Sequence, residues 1–142
     1  MRNPLRQDDK EMFKLNTNLG GYVAPFEYVT AGAAFGIGCP LKLSGGKAVK
    51  CAATDMPELI SVSAATANGD VVAVQRVEET QEYETTLSAA PAEEATLDVG
   101  DKVTIGGTNM DEATATKTSG VFMLTYLSGT AVGDVVRGYF RR

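Results

Sequence analysis

The side chain that most often carries out acid–base chemistry in proteins is missing from this chain of 142 residues, which contains no histidine. That absence removes the commonest general base, and with it the Ser-His and Cys-His arrangements that activate nucleophiles. Two cysteines, Cys39 and Cys51, without any histidine argue against a structural zinc site within one chain. The sequence therefore predicts a protein that is not an enzyme and that holds no metal or cofactor.

One glycine-rich segment resembles a phosphate-binding loop. Ser44-Gly45-Gly46-Lys47 has the end of the motif, but Leu41 stands where the motif requires glycine. Ala48 stands where it requires serine or threonine, whose hydroxyl would reach the magnesium ion. The segment therefore does not predict nucleotide binding.

Two groups of acidic residues have the right chemistry for a site but the wrong setting. Asn109, Asp111 and Glu112 carry oxygen ligands for calcium, yet no twelve-residue calcium loop surrounds them. Asp55 and Glu58 are spaced as paired carboxylates, but a proline separates them and acids in such loops are usually solvated. Neither group predicts a metal or catalytic site.

The elements that must position the side chains are strands that follow Gly-Asp turns. Three such pairs, Gly69-Asp70, Gly100-Asp101 and Gly133-Asp134, each precede a segment that contains valine. Glycine and aspartate favour turns, and valine fits a pleated, half-buried surface. The spacing does not indicate an internal repeat, because the segments between the turns do not resemble each other.

The pattern as a whole predicts an all-β domain. Numerous strands with few helices favour closure into a barrel or a sandwich, which limits exposed edges. Two of the strands are apolar on both faces, and these either lie in the core or have one face covered by another subunit. The predicted strands are Leu59–Val62, Val71–Val74, Tyr83–Leu87, an alternating strand over Lys102–Ile105, Val121–Leu127 and Val135–Phe140, with one helical turn in Ala89–Ala95.

The hairpin between Cys39 and Cys51 has two possible registers. A two-residue turn at Gly45-Gly46 places Leu41 opposite Lys50, which puts an apolar and a charged side chain on one face. A three-residue loop places Leu41 opposite Val49 and Cys39 opposite Cys51, so we expect this second register. It brings the two sulfurs within bonding reach, although a cytoplasmic product normally keeps its thiols free.

Composition and charge limit the classes of partner. Apolar residues make up 44% of the chain, enough for one folded domain, and no apolar run approaches the ~20 residues of a membrane helix. The first residues lack the apolar segment of a secretory signal, so we expect synthesis in a cytoplasm. The net charge of −5 argues against nucleic-acid binding. We therefore expect neither nucleic acid nor a membrane as a partner.

The first 29 residues differ from the rest and predict an N-terminal arm ahead of a β domain at residues 30–142. Basic and acidic residues interleave at the start, and Gly20-Gly21 precedes an aromatic stretch. Aromatic residues near such an arm often anchor interfaces. The predicted partner contacts are Phe13, Leu15, Tyr22, Phe26 and Tyr28.

The layout of the chain resembles the small capsid decoration proteins of tailed phages, also called head-stabilising or cement proteins. The resemblance covers roughly residues 30 to 140, and no single motif in it is diagnostic. It is carried by four segments: Gly38-Cys39-Pro40-Leu41-Lys42-Leu43-Ser44-Gly45-Gly46, Leu59-Ile60-Ser61-Val62, Leu97-Asp98-Val99-Gly100-Asp101-Lys102-Val103 and Gly129-Thr130-Ala131-Val132-Gly133-Asp134-Val135-Val136.

The resemblance implies a small β-barrel or β-tulip-like domain with an extended N-terminal arm and at most one or two short helical turns. It also implies a homotrimer or other homo-oligomer seated on the outer surface of the virion, with the major capsid protein as its partner. The expected role is to stabilise or decorate the shell. The alternative is an adhesin-like or carbohydrate-binding β module, such as a component of a head fibre.

Overall fold

The structure is a computed structural model that describes residues 12–19 and 26–141. Within these residues the chain forms strands and turns and no helix, which confirms the predicted all-β class. The strands are β1 Lys14–Asn18, β2 Glu27–Thr30, β3 Pro40–Ser44, β4 Lys47–Lys50, β5 Leu59–Ser61, β6 Val71–Arg76, β7 Gln81–Thr86, β8 Lys102–Val103, β9 Ile105–Gly106, β10 Glu112–Ala113, β11 Phe122–Leu127 and β12 Val135–Phe140.

The strands after β1 form two successive units. In the first unit the antiparallel sheet has the order β2-β6-β5-β3-β4, and its outermost strands meet where Ala31 forms a parallel bridge with Ala48. In the second unit the order is β7-β12-β11-β8, and β9 follows β8 after Thr104 and pairs with β10. A parallel bridge between Leu87 and Ala113 again joins the ends. Because each junction is a single bridge, neither unit is a closed barrel.

The two units also share their hydrogen bonds outside the ladders. The residue that follows the first strand of each unit exchanges two bonds with a Gly-Asp turn, and the next residue donates to the last strand. Five bonds of the first unit have an equivalent in the second. Ala31 N–H to Asp70 O corresponds to Leu87 N–H to Asp134 O, Gly69 N–H to Ala31 O corresponds to Gly133 N–H to Leu87 O, and Gly32 N–H to Ala48 O corresponds to Ser88 N–H to Ala113 O. Likewise, Gly38 N–H to Ser61 O corresponds to Gly100 N–H to Leu124 O, and Glu58 N–H to Leu41 O corresponds to Val121 N–H to Val103 O.

The chain therefore contains an internal repeat, although the spacing of the three Gly-Asp pairs does not mark it. Thr66–Val72 and Thr130–Val136 occupy equivalent places and differ only in that Asn68 is replaced by Val132. Gly100 is equivalent to Gly38, not to the glycines of the other two Gly-Asp pairs. Treating all three pairs as one series therefore concealed the repeat.

The predicted turns are present, and the aspartate side chains stabilise them. At each one the carboxylate accepts a hydrogen bond from the backbone N–H three residues earlier, and the backbone N–H of the aspartate donates to the carbonyl of that same residue. We call this arrangement an Asp turn. Asp55 forms a fourth Asp turn, with Ala52 and without a glycine. The aspartate satisfies backbone groups that would otherwise need water.

The two units fill their interiors with different side chains. The core of the first unit is built mainly from small and aliphatic residues, and that of the second contains four aromatic rings in mutual contact. The buried members of the first core are Ala31, Phe35, Cys39, Leu41, Ala48, Leu59, Ala65, Val72 and Val74. The rings of the second are Phe13, Tyr83, Phe122 and Phe140, with centroids 5.0–5.4 Å apart.

The described part of the predicted arm belongs to the β domain. β1 extends the sheet of the second unit by pairing with β7, with Leu15 opposite Tyr83. β2 is the first strand of the first unit. Residues 1–11 and 20–25 of the predicted arm lie outside the described residues. The two units are packed together, because Cys51 and Ile60 point out of the first unit and into the core of the second.

The predicted hairpin register is wrong, because the structure pairs Leu41 with Lys50 across a two-residue turn. Gly45 and Gly46 both have positive φ, at 59° and 80°. This is the geometry of the hairpin turns whose twist matches that of the strands they join. Leu41 is buried and Lys50 half-buried, since a lysine stem can lie along apolar surface while its ammonium group reaches water.

The predicted helical turn in Ala89–Ala95 is also absent. The chain makes a β-turn there, in which the Ala95 N–H donates to the carbonyl of Ala92 over 2.9 Å. Glu94 has a φ of 67°, which a right-handed helix does not allow. The local preference for a helix start at proline and acidic residues is too weak to form a helix of one turn without packing.

Candidate docking surface

The most exposed large apolar side chains on or directly beside the strands of the first unit lie on its outer face. Phe26, Tyr28 and Val71 are 56%, 74% and 69% exposed. Because Tyr28 pairs with Ala73 and Thr30 with Val71, side chains on β2 and β6 alternate so that these residues share one face. We call Phe26, Tyr28, Val71 and Ala73 the docking face. Tyr28, Val71 and Ala73 are held by the ladder between β2 and β6, and Phe26 directly precedes β2.

The equivalent face of the second unit carries charge. Glu84 occupies the place of Tyr28 and accepts a hydrogen bond from Arg137 over 2.8 Å. The guanidinium group of Arg137 also lies 4.9 Å from the centre of the Tyr126 ring. Hydrogen bonding to Glu84 raises the pKa of Arg137, so the pair stays ionised. This surface is polar and satisfies its own charges.

An apolar cavity adjoins the docking face. It has a volume of about 260 Å³ and lies between β1 and the outer face of the first unit, with Phe26 at its border. Its apolar lining comes from both units and from the loops between them: Met12, Phe13, Leu15, Phe26, Ile37, Ile60, Val62 and Tyr83. The cavity continues the apolar character of the docking face toward β1.

The structure separates the five predicted partner contacts. Phe26 and Tyr28 are exposed on the docking face, and Leu15 is half-buried at the cavity. Tyr22 lies outside the described residues. Phe13 requires a correction, because only 2% of it is exposed and its ring packs against those of Phe122 and Phe140. Its apolar surface is used by the core, so it is not available to a partner in this fold.

The two cysteines are free and buried, and they belong to different cores. The register of the hairpin explains this, since Cys39 points to the same side as Leu41 whereas Cys51 points to the opposite side. Burial raises the pKa of each thiol to about 12. A thiol with so high a pKa carries almost no thiolate at neutral pH, and the thiolate is the nucleophilic form.

The acidic residues singled out as possible ligands have structural roles. Asp55 accepts hydrogen bonds from Lys42 Nζ over 2.6 Å and from the Ala52 N–H, and these bonds lower its pKa. Glu58 accepts the N–H of Leu43 over 2.7 Å. Across residues 12–19 and 26–141 no three Cys, Asp or Glu side chains come together in a way that could hold a metal ion.

The second group of possible ligands comprises Asn109, Asp111 and Glu112. Glu112 accepts a hydrogen bond from the Thr86 hydroxyl over 2.9 Å, and Asp111 is buried beside it in the chain. The carbonyl of Asn109 lies 3.7 Å from the sulfur of Cys39. Glu112 and the carbonyl of Asn109 therefore make contacts within the fold, and Asp111 lies in its interior.

Comparison with known proteins gives no relative for this chain: the sequence matches no protein-family model and no curated protein. In the part of the chain that the structure describes, no helix is long and apolar enough to cross a membrane. The docking face carried only a weak signal in the sequence, namely the aromatic residues near its start and the apolar residues on both faces of Val71–Val74.

Proposed function

We propose that this chain is a structural virion protein that binds the outer surface of a phage capsid and stabilises or decorates the shell. Its partner is the major capsid protein, and it acts by binding, not by catalysis. The observation that carries the proposal is the docking face, where Tyr28 and Val71 on paired strands, with Phe26 directly before β2, expose apolar surface. The resemblance of residues 30 to 140 to capsid decoration proteins supports the same role.

The affinity expected of one docking face suits a shell surface that presents the same binding site many times. An aromatic side chain buries about 150–250 Å², and apolar burial contributes roughly 25 cal/mol per Å². A face with two such residues therefore supplies a modest affinity for a single contact. A homotrimer or other homo-oligomer on the shell multiplies it, because linked sites rebind at high effective concentration. Contacts of this kind tie neighbouring shell subunits together.

The test is co-sedimentation with heads assembled from the major capsid protein that the same phage genome encodes. Replacing Tyr28 with alanine should weaken binding about tenfold or more, because a truncated aromatic anchor costs over 1.4 kcal/mol at a hot spot. Tyr126→Ala is the matched control, since Tyr126 is also an exposed tyrosine, 42% exposed, but lies on the charged face. Equal binding of parent and Tyr28→Ala would contradict the proposal.

The second candidate is an adhesin-like or carbohydrate-binding module. Neighbouring aromatic side chains at Phe26 and Tyr28 favour it, because flat rings can stack on sugars. The later tyrosines do not add to such a cluster, since Tyr83 and Tyr139 are buried and Arg137 lies over Tyr126. Glycan-array binding that Tyr28→Ala abolishes, without binding to heads, would favour this candidate.

A further inference from the structure

The second unit shows that the outer edge of a unit's first strand can pair with an additional strand. In the second unit, β1 is added to the edge of β7 that faces away from β12, with Lys14 opposite Glu84 and Leu15 opposite Tyr83. The pairing places Leu15 against the core of that unit. The edge of β7 therefore accommodates an additional extended strand.

The equivalent edge of the first unit belongs to β2, where Tyr28 stands in the place of Glu84. Within residues 12–19 and 26–141 this edge is met only at its end, by the bridge between Ala31 and Ala48. The backbone of Ala31 bonds toward β6, and the N–H of Gly32 donates to the opposite side, to Ala48. Because these directions alternate along a strand, the N–H and C=O of Tyr28 point to the open edge.

We propose that the open edge of β2 accepts an extended strand of the shell protein, in the way that the edge of β7 accepts β1. This inference rests on the proposed function and specifies how the docking face engages its partner. The main-chain hydrogen bonds of the added strand supply affinity, and its outward side chains cover Phe26 and Tyr28. A four-residue edge that is open beside exposed aromatic residues is suited to this mode of recognition.

The side chains indicate the chemistry of the occupant. In the second unit β1 presents polar residues to the outer face, and Asn16 donates a hydrogen bond to Glu82 over 2.5 Å. In the first unit the places of Glu82 and Glu84 are taken by Phe26 and Tyr28. The matching strand therefore carries large apolar side chains at alternate, outward positions. A second copy of β1, with Lys14 and Asn16 outward, does not match, so we assign the strand to the shell protein.

Removal of one N–H group tests the pairing. Tyr28→Pro and Tyr28→Ala both remove the aromatic ring, but only the proline removes the N–H at the open edge, a change that edge strands tolerate. In co-sedimentation with the assembled heads, we expect Tyr28→Pro to bind about three- to tenfold more weakly than Tyr28→Ala, the loss of one hydrogen bond. Equal affinities of the two variants would overturn the strand pairing, whereas the proposed function would still be judged from Tyr28→Ala against the parent.

A second measurement avoids substitution, in case Tyr28→Pro does not fold. Hydrogen exchange of the parent protein, followed by mass spectrometry, should show slower exchange in the peptide 26–31 when heads are added. Exchange in the peptide 81–86 of β7, whose edge β1 already pairs, serves as the control and should not change. Unchanged exchange in 26–31 despite binding would overturn the pairing. Slow exchange in 26–31 without heads, together with a dimer in size-exclusion chromatography, would overturn the assignment to the shell protein.

Discussion

The two units of this protein have one backbone design and opposite distributions of aromatic surface. Glu27 and Arg76 in the first unit form an ion pair at 2.8 Å, and their equivalents in the second are Tyr83 and Phe140, with ring centroids 5.4 Å apart. On the outer face the relation is reversed, since Tyr28 in the first unit is equivalent to Glu84 in the second. The repeat therefore preserves hydrogen bonds while aromatic residues move from the inside to the outside.

The difference separates the interactions that specify the fold from those that specify what its surfaces can bind. The shared Asp turns and bridges satisfy the same backbone groups in both units, and such satisfaction is required of any buried backbone. The side chains on the two faces are then free to differ. The second unit uses its aromatic residues for a core, and the first exposes two of its own on a docking face.

The comparison predicts that substitutions at equivalent positions lower the free energy of unfolding by different amounts. The largest difference is expected between Phe140 and Arg76. Phe140→Ala should lower the free energy of unfolding by about 4 kcal/mol, because the ring is buried among three others. Arg76→Ala should lower it only slightly, because its ion pair is half exposed. Urea denaturation of both variants measures the difference. Similar losses of unfolding free energy would contradict the assignment of Phe140 to a buried core and of Arg76 to a half-exposed ion pair.

A second prediction concerns Gly138, whose equivalent in the first unit is the buried Val74. A Cβ at Gly138 would overlap the carbonyl oxygen of Met123. Gly138→Ala should therefore lower the free energy of unfolding by about 2–3 kcal/mol through overpacking. Gly36→Ala is the control, since a Cβ there meets no atom within 4 Å. If both variants unfold at the parent's urea concentration, the backbone of β11 beside Gly138 is more adaptable than its geometry indicates.

The smallest predicted effect concerns acid sensitivity at the Asp turns. Hydrogen bonds from the N–H and hydroxyl of Thr66, with one from the Ala67 N–H, lower the pKa of Asp70 below its ordinary 3.8. The carboxylate therefore stabilises the fold fully above that value, and the stabilisation is lost as the pH falls through the lower folded pKa. Asp70→Asn should be less stable at pH 7 but lose less between pH 5 and about 2.

Thermal unfolding across this pH range measures the effect. Asp134→Asn is the matched comparison, since Asp134 accepts one backbone N–H in its turn, that of Ala131, and should cause a smaller loss at pH 7. Parallel pH profiles for the parent and Asp70→Asn would contradict the role assigned to the carboxylate. The comparison separates the contribution of the shared turn from that of the additional bonds to Thr66.

Much of the fold could be predicted from the sequence because valine-rich alternation and Gly-Asp turns are local signals. Strands at 59–61, 71–76, 122–127 and 135–140 agree with the pattern. The hairpin register could not be derived, since Leu41 opposite Lys50 is unfavourable only if the lysine stem is ignored. The burial of Phe13 could not be predicted from the sequence, because its ring contacts residues more than a hundred positions away.

The candidate site was predicted only in part, for a related physical reason. Phe26 and Tyr28 belong to a surface that exists because Val71 is brought beside them by pairing between β2 and β6. No local property of residues 26–28 distinguishes exposed aromatic residues from buried ones. The repeat supplies the distinction, since it shows that the same strand position is charged in the second unit.

The position of β1 in the chain has a consequence for biosynthesis. β1 precedes the first unit, yet its partner strand is β7, so it has nothing to pair with until Glu84 has left the ribosome. At about 5–20 residues per second, the 66 residues from Asn18 to Glu84 take about 3–13 seconds to synthesise, so β1 stays unpaired while the strands of the first unit emerge. β1, the first strand of the described residues, is thus among the later ones to be placed, and the second unit depends on a segment that is translated well before it.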